Sequence, residues 1–367
     1  MANSTKKIGI LTSGGDCAGL NAAIRAVVVS ASKLGWEVYG IKNGTEGLIN
    51  SPVEYEILTV NNFATTPWPK MSGSYLGSSS KGINPKDMKK LATKFAAGVK
   101  SLGLDAIIVV GGDGSMQIVG NYCKSTGVKI IGIPKTIDND TPLTEFSIGF
   151  STACQVCTDA IDSLASTARS HSRALILEVM GRDAGHLAMH SAIAAGADIC
   201  LVPEIPYSID GIVKKLKKIK LSGRNYAVIV AAEGVKQENQ GIKKITANLA
   251  NKNKHIQIGQ YLSDEIAKKY KGFVTRVTVL GHLQRAGIPN AFDRMIGTLF
   301  GTKAVYLLST DQTNKLVVWE DGEVKVHELD EVIKAGTTPL NVNGDYVRAA
   351  KDMDMYIGDL NKLKNMR

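Results

Sequence analysis

The sequence predicts an α/β protein with two doubly wound (Rossmann-like) domains. The chain has 367 residues, about twice the length of an average domain. Short apolar runs alternate with helix-forming segments, and glycine-rich loops follow several of these runs. Strands that alternate with helices are typical of parallel sheets covered by helices on both faces. Ligands of such folds bind beyond the carboxyl ends of the strands, so function is expected in the loops there.

The composition narrows the classes of protein to which the chain can belong. Hydrophobic residues make up 44% and charged residues 21% of the chain, which excludes an intrinsically disordered protein. The 44 Lys and Arg residues outnumber the 34 Asp and Glu residues, so the net charge is +10. Such an excess suits a nucleic-acid binder, a membrane-surface protein or an enzyme with polyanionic substrates. Two lysine-rich stretches, Lys214–Lys220 and Lys236–Lys254, hold most of this excess. We interpret the first as the solvent face of a packed helix and the second as a solvated surface excursion with a short helix.

The sequence also predicts where the protein resides. Its apolar runs have the length of strands and are too short to cross a membrane. The first residues lack the apolar core of a signal peptide. The five cysteines, an odd number, indicate reduced thiols rather than a disulfide framework. We therefore expect a cytoplasmic protein with no membrane partner.

Predicted strands and helices alternate along most of the chain. Strands are predicted at Lys7–Thr12, Glu37–Ile41, Asp105–Val110, Val128–Ile133, Arg173–Val179, Ile199–Val202, Tyr226–Ala232 and Thr275–Leu280. Gly19–Leu34 is predicted to form the first helix. Near the end of the chain, two apolar runs flank Asp321-Gly322, which is typical of a β-hairpin.

The first glycine-rich loop, Ser13–Asn21, lies between a predicted strand and a predicted helix. Glycines allow backbone N–H groups to approach a phosphate, and the helix N-terminus favours its negative charge. The loop matches neither GxxxxGK[ST] nor a strict GxGxxG, so a simple tight turn remains the alternative.

Two further loops follow neighbouring predicted strands. Gly111-Gly112-Asp113-Gly114-Ser115 combines paired glycines, which leave room for a nucleotide, with an aspartate that can hold Mg²⁺ beside phosphate oxygens. The third loop runs from Pro134 to Asp140 and contains Thr136, Asp138 and Asp140. Carboxylates at this spacing can supply a general base and a metal contact, although Asp and Asn are also common in plain turns.

Cationic and polar residues gather at the ends of later predicted strands. They are Arg173, Met180-Gly181-Arg182, Glu233, Arg276, His282 and Arg285. A lone arginine is usually a surface residue. Four arginines and a histidine at strand ends predict a phosphate-ester site, because one guanidinium group can bind two phosphate oxygens at once.

In chain order, these loops give SGGDxxGLNAAIR, GGDGS, KTIDND, MGR and GHLQR. In this combination the chain resembles the 6-phosphofructokinase family from about Lys7 to about Gly301. The resemblance implies Mg²⁺-dependent phosphoryl transfer to the 1-hydroxyl of fructose 6-phosphate, a glycolytic reaction. It also implies an active-site cleft between two domains. We expect the donor domain at 1–149 with about 284–335, and the sugar-phosphate domain at 150–283 with about 336–367.

The resemblance also assigns roles to individual residues. Asp138 is implied as the catalytic base, with Thr136 and Asp140 positioning substrate and metal, Asp113 holding Mg²⁺ and Arg182 stabilising the transferring group. The implied donor contacts are Gly15, Ser80, Lys81, Gly112, Asp113, Gly114, Ser115 and Lys135. The implied substrate contacts are Thr136, Asp138, Arg173, Met180, Gly181, Arg182, Glu233, Arg276, His282 and Arg285. Arg173 and Arg276 are expected to reach in from a neighbouring subunit of a dimer or tetramer.

Three positions bear on the identity of the phosphoryl donor, and they point to different donors. ATP-using family members carry glycine at the position of Gly114, whereas pyrophosphate users tend to carry aspartate there. Lys135 is more typical of the pyrophosphate-like branch, and Ser80 replaces an arginine of many ATP users, with Lys81 as a substitute. We expect ATP because Gly114 leaves room for its α-phosphate. A pyrophosphate-dependent or other-donor enzyme is the alternative.

Other classes of protein are less consistent with the sequence. NAD-kinase-like and lipid-kinase-like proteins share GGDG[ST] but lack KTIDND and GHLQR. A non-catalytic nucleic-acid binder would fit the positive charge, yet no nucleic-acid module is recognisable and aromatic residues make up only 6% of the chain. A regulatory subunit without activity is disfavoured because the candidate base, metal ligand and arginines are all present.

Overall fold

The computed structural model describes residues 5–63, 67–79, 84–237 and 257–360. The chain divides into two compact units. Unit 1 comprises Met1–Ala153 and Arg285–Thr338, and unit 2 comprises Cys154–Gln284 and Pro339–Arg367. The short helix expected within Lys236–Lys254 falls, from residue 238 onward, outside the described residues.

The described elements alternate between strand and helix along most of the chain. The strands are β1 (Lys7–Ser13), β2 (Glu37–Ile41), β3 (Tyr55–Leu58), β4 (Ala106–Gly111), β5 (Ile130–Pro134), β6 (Arg173–Val179), β7 (Ile199–Leu201), β8 (Ala227–Ala232), β9 (Val274–Val279), β10 (Lys315–Glu320) and β11 (Glu323–Glu328). The helices are α1 (Leu20–Lys33), α2 (Glu46–Ile49), α3 (Met88–Ser101), α4 (Asp113–Thr126), α5 (Phe150–His171), α6 (His186–Ala194), α7 (Ile209–Leu221), α8 (Ile258–Lys269), α9 (Ala291–Ser309), α10 (Leu329–Ala335) and α11 (Asp345–Asp352).

Unit 1 is built on a seven-stranded sheet with the order β11-β10-β5-β4-β1-β2-β3. β1, β2, β4, β5 and β10 run parallel, while β3 and β11 are antiparallel to their neighbours at the two edges. β4 is buried along its whole length, as expected for a central strand covered on both faces. The jump in strand order from β1 to β4 and β5 brings the ends of these three strands together.

Helices pack on the sheet of unit 1 through small and large apolar side chains. On one face, α3 and α4 contribute Phe95, Met116 and Tyr122 to a core that also contains β4 residues. Elsewhere, α1 and α9 approach so closely that a methyl group built on Gly301 would lie 2.6 Å from the carbonyl oxygen of Ala23. Glycine is therefore required at position 301.

Unit 2 is built on a four-stranded sheet with the order β7-β8-β6-β9, in which every pair is parallel. The chain returns to this unit near its end, where Tyr356 forms a bridge to Ile199 and its carbonyl oxygen accepts a hydrogen bond from the Cys200 N–H. Tyr356 also presents its hydroxyl to the Ser208 N–H at 3.2 Å. The last described residues thus complete the sheet at β7.

The predicted fold class is confirmed, and the predicted strands correspond to observed ones with ends that differ by at most two residues. The strand β3, with the sequence Tyr-Glu-Ile-Leu, was not predicted, because four residues with half-exposed side chains carry little apolar pattern. Within the described ranges, no helix combines the length and apolar character needed to span a bilayer.

Candidate active site

Three loops leave the sheet of unit 1 side by side. In the β-sheet register, Ser13 at the end of β1 pairs with Gly111 at the end of β4, and Gly111 pairs with Pro134 at the end of β5. Because all three strands are parallel, the loops that follow them start from the same edge. The Ser13–Asn21, Gly111–Ser115 and Pro134–Asp140 loops are therefore brought together, as the sequence predicts.

The loop after β1 is in contact with side chains from the other two loops. Gly14 has a left-handed backbone conformation with φ +88°. A methyl group on it would lie 3.2 Å from both Lys135 Nζ and Ser115 Oγ. Lys135 is almost fully buried, and its Nζ donates a hydrogen bond to the Gly15 carbonyl oxygen. Burial lowers the pKa of Lys135. A buried cation against glycine backbone is an arrangement suited to a phosphate group.

A second cation, Arg285, lies on the other side of Gly15. A methyl group on Gly15 would lie 2.8 Å from Arg285 Nη1 and 2.9 Å from Cζ. Arg285 is the last residue of a short 3₁₀ helix, Gly281–Arg285. It is also the first residue of the second part of unit 1. The resemblance noted in the sequence implies Arg285 as a contact of the sugar phosphate, and the structure adds its proximity to the glycine loop.

The loop after β5 has its conformation fixed by its own polar side chains. The Thr136 hydroxyl oxygen accepts a hydrogen bond from the Asp138 N–H at 3.1 Å. Asn139 has a positive φ of 52°, and its side chain bonds Glu145 O and Ser147 N. Asn is one of the few residues that adopts this conformation readily. These bonds hold the loop that carries Asp138 and Asp140.

Burial and two neighbouring carboxylates act on the ionisation of Asp140. The pKa of Asp140 is raised to about 6, first because the residue is buried and then because Asp113 and Asp138 are negatively charged nearby. Asp140 Oδ1 is buried without a hydrogen-bond partner. Carboxylate oxygens with unmet charge are ligands that Mg²⁺ prefers.

These residues fit a magnesium ion that is shared with a substrate. Among the residues that the structure describes, no group of three His, Cys, Asp or Glu side chains is arranged to hold a metal by itself. Mg²⁺ commonly keeps waters and binds through one or two carboxylates together with substrate phosphates. The orphaned oxygen of Asp140 and the carboxylate of Asp113 suit such a partial site.

In unit 2, the predicted substrate residues follow three neighbouring parallel strands. Val179 at the end of β6 pairs with Ala232 at the end of β8, and Glu178 pairs with Val279 of β9. Met180-Gly181-Arg182, Glu233 and the Gly281–Arg285 segment therefore begin at one edge of this sheet. His282 is exposed and Met180 is buried.

The residue that joins these loops, Gln284, was not predicted from the sequence. Gln284 is buried; its Oε1 accepts hydrogen bonds from the Met180 N–H at 3.0 Å and from Cys157 Sγ at 3.3 Å. Its Nε2 donates to the Gly281 carbonyl oxygen at 2.8 Å. It is part of GHLQR, but only the fold shows that it faces the protein interior.

Gly234 brings the loop after β8 onto the loop after β6. A methyl group on Gly234 would lie 1.7 Å from the Arg182 carbonyl oxygen. Only glycine allows this approach, and Glu233 is held beside it by a hydrogen bond from its N–H to the Val179 carbonyl oxygen. Arg182 itself is exposed, with its Nε 3.9 Å from Asp183.

Arg173 and Arg276 do not join these loops within one chain. Arg173 is the first residue of β6, so it lies about 20 Å from the end of that strand at about 3.3 Å per residue. Arg276 pairs with Leu175 in mid-sheet, and its Nη1 donates to the Thr275 carbonyl oxygen. Ser80 and Lys81 lie outside the described residues.

Gly112 and Gly114 leave open backbone in the loop after β4. A methyl group on Gly112 would lie 3.3 Å from the Lys135 carbonyl oxygen, whereas one on Gly114 would meet no atom within 4 Å. Space therefore exists at position 114 for a ligand or for a side chain.

Comparison with known proteins gives a consistent result. The model of the family described as Phosphofructokinase matches residues 7–308. The chain is 41% identical over 363 residues to "ATP-dependent 6-phosphofructokinase 1" of Synechocystis sp., covering 96% of this chain and 99% of that protein. It is 42% identical over 365 residues to "ATP-dependent 6-phosphofructokinase" of Thermosynechococcus vestitus, covering 98% and 95%. The structure of phosphofructokinase from Saccharomyces cerevisiae superposes with a TM-score of 0.75 at 28% identity, covering 98% of this chain and 50% of that one.

Proposed function

The chain belongs to the phosphofructokinase family, and from this premise we propose that it transfers a phosphoryl group from ATP to the 1-hydroxyl of fructose 6-phosphate. The observation that best supports the reaction is the adjacency of three loops that carry glycines, buried Lys135 and the carboxylates of Asp113, Asp138 and Asp140. Phosphoryl transfer depends mainly on positioning and on neutralising charge, and these loops supply both.

Each group has a defined task in this proposal. Asp138 accepts the proton of the attacking hydroxyl, and the Thr136 hydroxyl holds the turn in which Asp138 lies. Asp113 would hold Mg²⁺, with Asp140 beside it, and a bound ion would supply neutralisation of charge on the donor phosphates. Lys135 and Gly15 face those phosphates, with Gly112, Gly114 and Ser115 on the neighbouring loop. Arg182 stabilises charge on the group in transfer.

The sugar phosphate is bound by residues of the second set of loops. Met180, Gly181 and Glu233 contact the sugar, while His282 and Arg285 bind the 6-phosphate. We propose that Arg173 and Arg276 complete this site from a neighbouring subunit of a dimer or tetramer. Cytoplasmic location and the absence of nucleic-acid and membrane partners remain predictions.

A donor screen tests this function directly. The purified protein is incubated with fructose 6-phosphate, Mg²⁺ and ATP, ADP, GTP or pyrophosphate, and fructose 1,6-bisphosphate is measured. We expect ATP to give the highest kcat/KM. Turnover with pyrophosphate alone would replace the donor while leaving the reaction in place, and no product with any donor would contradict the reaction.

The role of Asp138 is tested by two substitutions. Removing a general base lowers kcat by about 10²–10⁴-fold. We expect this loss for Asp138→Ala and for the isosteric Asp138→Asn, with an unchanged urea unfolding midpoint. A variant that keeps wild-type kcat would show that another group accepts the proton.

A further inference from the structure

We propose that Thr337 is a positioning residue that orients Asp113 for the magnesium–donor complex. Its hydroxyl donates a hydrogen bond to Asp113 Oδ2 at 3.3 Å. Within the described ranges, no other side chain hydrogen-bonds or ion-pairs with Asp113. This inference rests on the proposed function, because it takes Asp113 as the carboxylate that holds Mg²⁺.

The backbone next to Thr337 is held by a hydrogen bond within unit 1, so its hydroxyl is not carried on a loose loop. The Thr338 N–H donates to the Asp140 carbonyl oxygen at 2.8 Å. Residues Gly336–Thr338, the crossing segment, are thus tied to the loop after β5.

The chemical effect follows from the geometry of a carboxylate. One oxygen of Asp113 is engaged by a hydroxyl donor, which restricts rotation of the side chain and leaves the other oxygen for a cation. Ligating carboxylates are commonly oriented by such hydrogen bonds, and removing the donor costs about 10–100-fold in metal affinity. Because this bond is between exposed groups, we expect a loss at the lower end of that range.

Because the hydrogen bond from the Thr338 N–H involves only backbone, the role of the Thr337 hydroxyl can be tested apart from general support of the loop. That bond needs no side chain at 337, so Thr337→Val keeps the crossing segment in place and removes only the hydroxyl. Valine has nearly the same shape as threonine. Thr337→Ser restores the hydroxyl without the methyl group.

The test measures binding without turnover. Isothermal titration gives the Kd of the non-hydrolysable analogue β,γ-imido-ATP with Mg²⁺ and with EDTA, and the ratio of the two values reports the contribution of the metal. We expect the ratio of the Kd with EDTA to the Kd with Mg²⁺ to fall about 10-fold in Thr337→Val, to return in Thr337→Ser, and to be unchanged in Thr93→Val, a matched change at an exposed hydroxyl of α3 that bonds Lys89 O. The Kd of the metal-free analogue and the KM for fructose 6-phosphate should stay within twofold.

A ratio in Thr337→Val equal to that of the wild type would overturn the assignment, and so would an equal loss of affinity with and without Mg²⁺. If the wild type fails to bind β,γ-imido-ATP at all, the proposed donor is wrong. The same ratio is then measured with imidodiphosphate, which tests Thr337 independently of the nucleotide.

Discussion

At the scale of single residues, the candidate site combines bare glycine backbone with two neighbouring cations, Lys135 and Arg285. Arg285 makes no hydrogen bond or ion pair to another side chain in the part of the chain that the structure describes, although its guanidinium lies against Gly15. Lys135 is buried near it, and the positive charge of Arg285 is one cause of the lowered pKa of Lys135. Two cations that repel each other beside open backbone suit the binding of an anion.

Asp140 gives a pH prediction whose sign follows from linkage. Its pKa is raised from 3.8 to about 6 in the folded protein, so the folded state binds the proton more tightly than the unfolded state. Stability from this group is present below pH 4 and is lost as the pH rises to 6. Relative to the wild type without Mg²⁺, Asp140→Asn should therefore gain about 2–3 kcal/mol between pH 4 and pH 7. Urea unfolding at both pH values measures it; a constant difference between the two proteins would contradict the prediction.

Two substitutions of Gly114 distinguish charge repulsion from lack of space as the basis of donor selection. Because no atom lies within 4 Å of a methyl group at this position, Gly114→Asp and Gly114→Ala should both fold normally. Aspartate in the first turn of α4 also interacts favourably with the helix dipole. We expect Gly114→Asp to lose at least about 10-fold in kcat/KM for ATP by charge repulsion, while Gly114→Ala loses little. Equal losses in the two variants would show that space at this position, and not charge, selects the donor.

The sequence could predict which residues lie at strand ends, because a loop follows its strand directly. It could not predict Gln284 or Thr337 as structural partners of the site. Gln284 reaches Met180 across 104 positions, and Thr337 reaches Asp113 across 224. Such pairs depend on how the strands are ordered, which local patterns do not determine.

At the scale of elements, the packing of α1 on α9 is set by residues without side-chain bulk. Gly297 and Gly301 lie one turn apart on α9, and methyl groups on them would lie 3.0 Å from Gly19 O and 2.6 Å from Ala23 O. Gly19 in turn ends the glycine loop after β1. The helix pair therefore supports the position of that loop.

Substituting Gly301 by alanine should destabilise the protein, although alanine is the better helix former. The higher helix propensity of alanine relative to glycine stabilises the folded protein by about 1 kcal/mol. Forcing the methyl group of alanine against backbone destabilises it by about 1–3 kcal/mol. We expect a net loss for Gly301→Ala and a change of less than about 0.5 kcal/mol for Thr298→Ala at an exposed position of the same helix. Thermal unfolding of both variants measures this; a stabilised Gly301→Ala would mean that the helices separate without cost.

Strand positions were predictable at this scale because buried parallel strands are continuous apolar runs. The β6 strand, Arg-Ala-Leu-Ile-Leu-Glu-Val, was predicted to the residue. The pairing of β10 with β5 was not, since more than 180 residues separate them along the chain. The edge strand β3 carries a weaker pattern and was missed.

At the scale of the whole molecule, the proposed sharing of a site between subunits predicts complementation. Asp138→Ala and Arg276→Ala should each be nearly inactive. Co-expressed as hybrids, they should regain activity, because some sites then combine an intact Asp138 from one chain with an intact Arg276 from the other. Asp138→Ala with Arg182→Ala is the control and should regain none, since both residues are proposed to come from one chain. Hybrids without activity would place Arg276 outside the neighbouring site.

The return of the chain to both units has a consequence for synthesis on the ribosome. When residue 153 has emerged, the sheet of unit 1 still lacks β10 and β11, and α1 has no α9 to cover its alanine face. The sheet of unit 2 is likewise incomplete at its β7 edge until Tyr356 has been synthesised. Neither unit can close its core during translation until the last third of the chain has been made. We therefore expect nascent chains to keep apolar surface exposed for most of their synthesis.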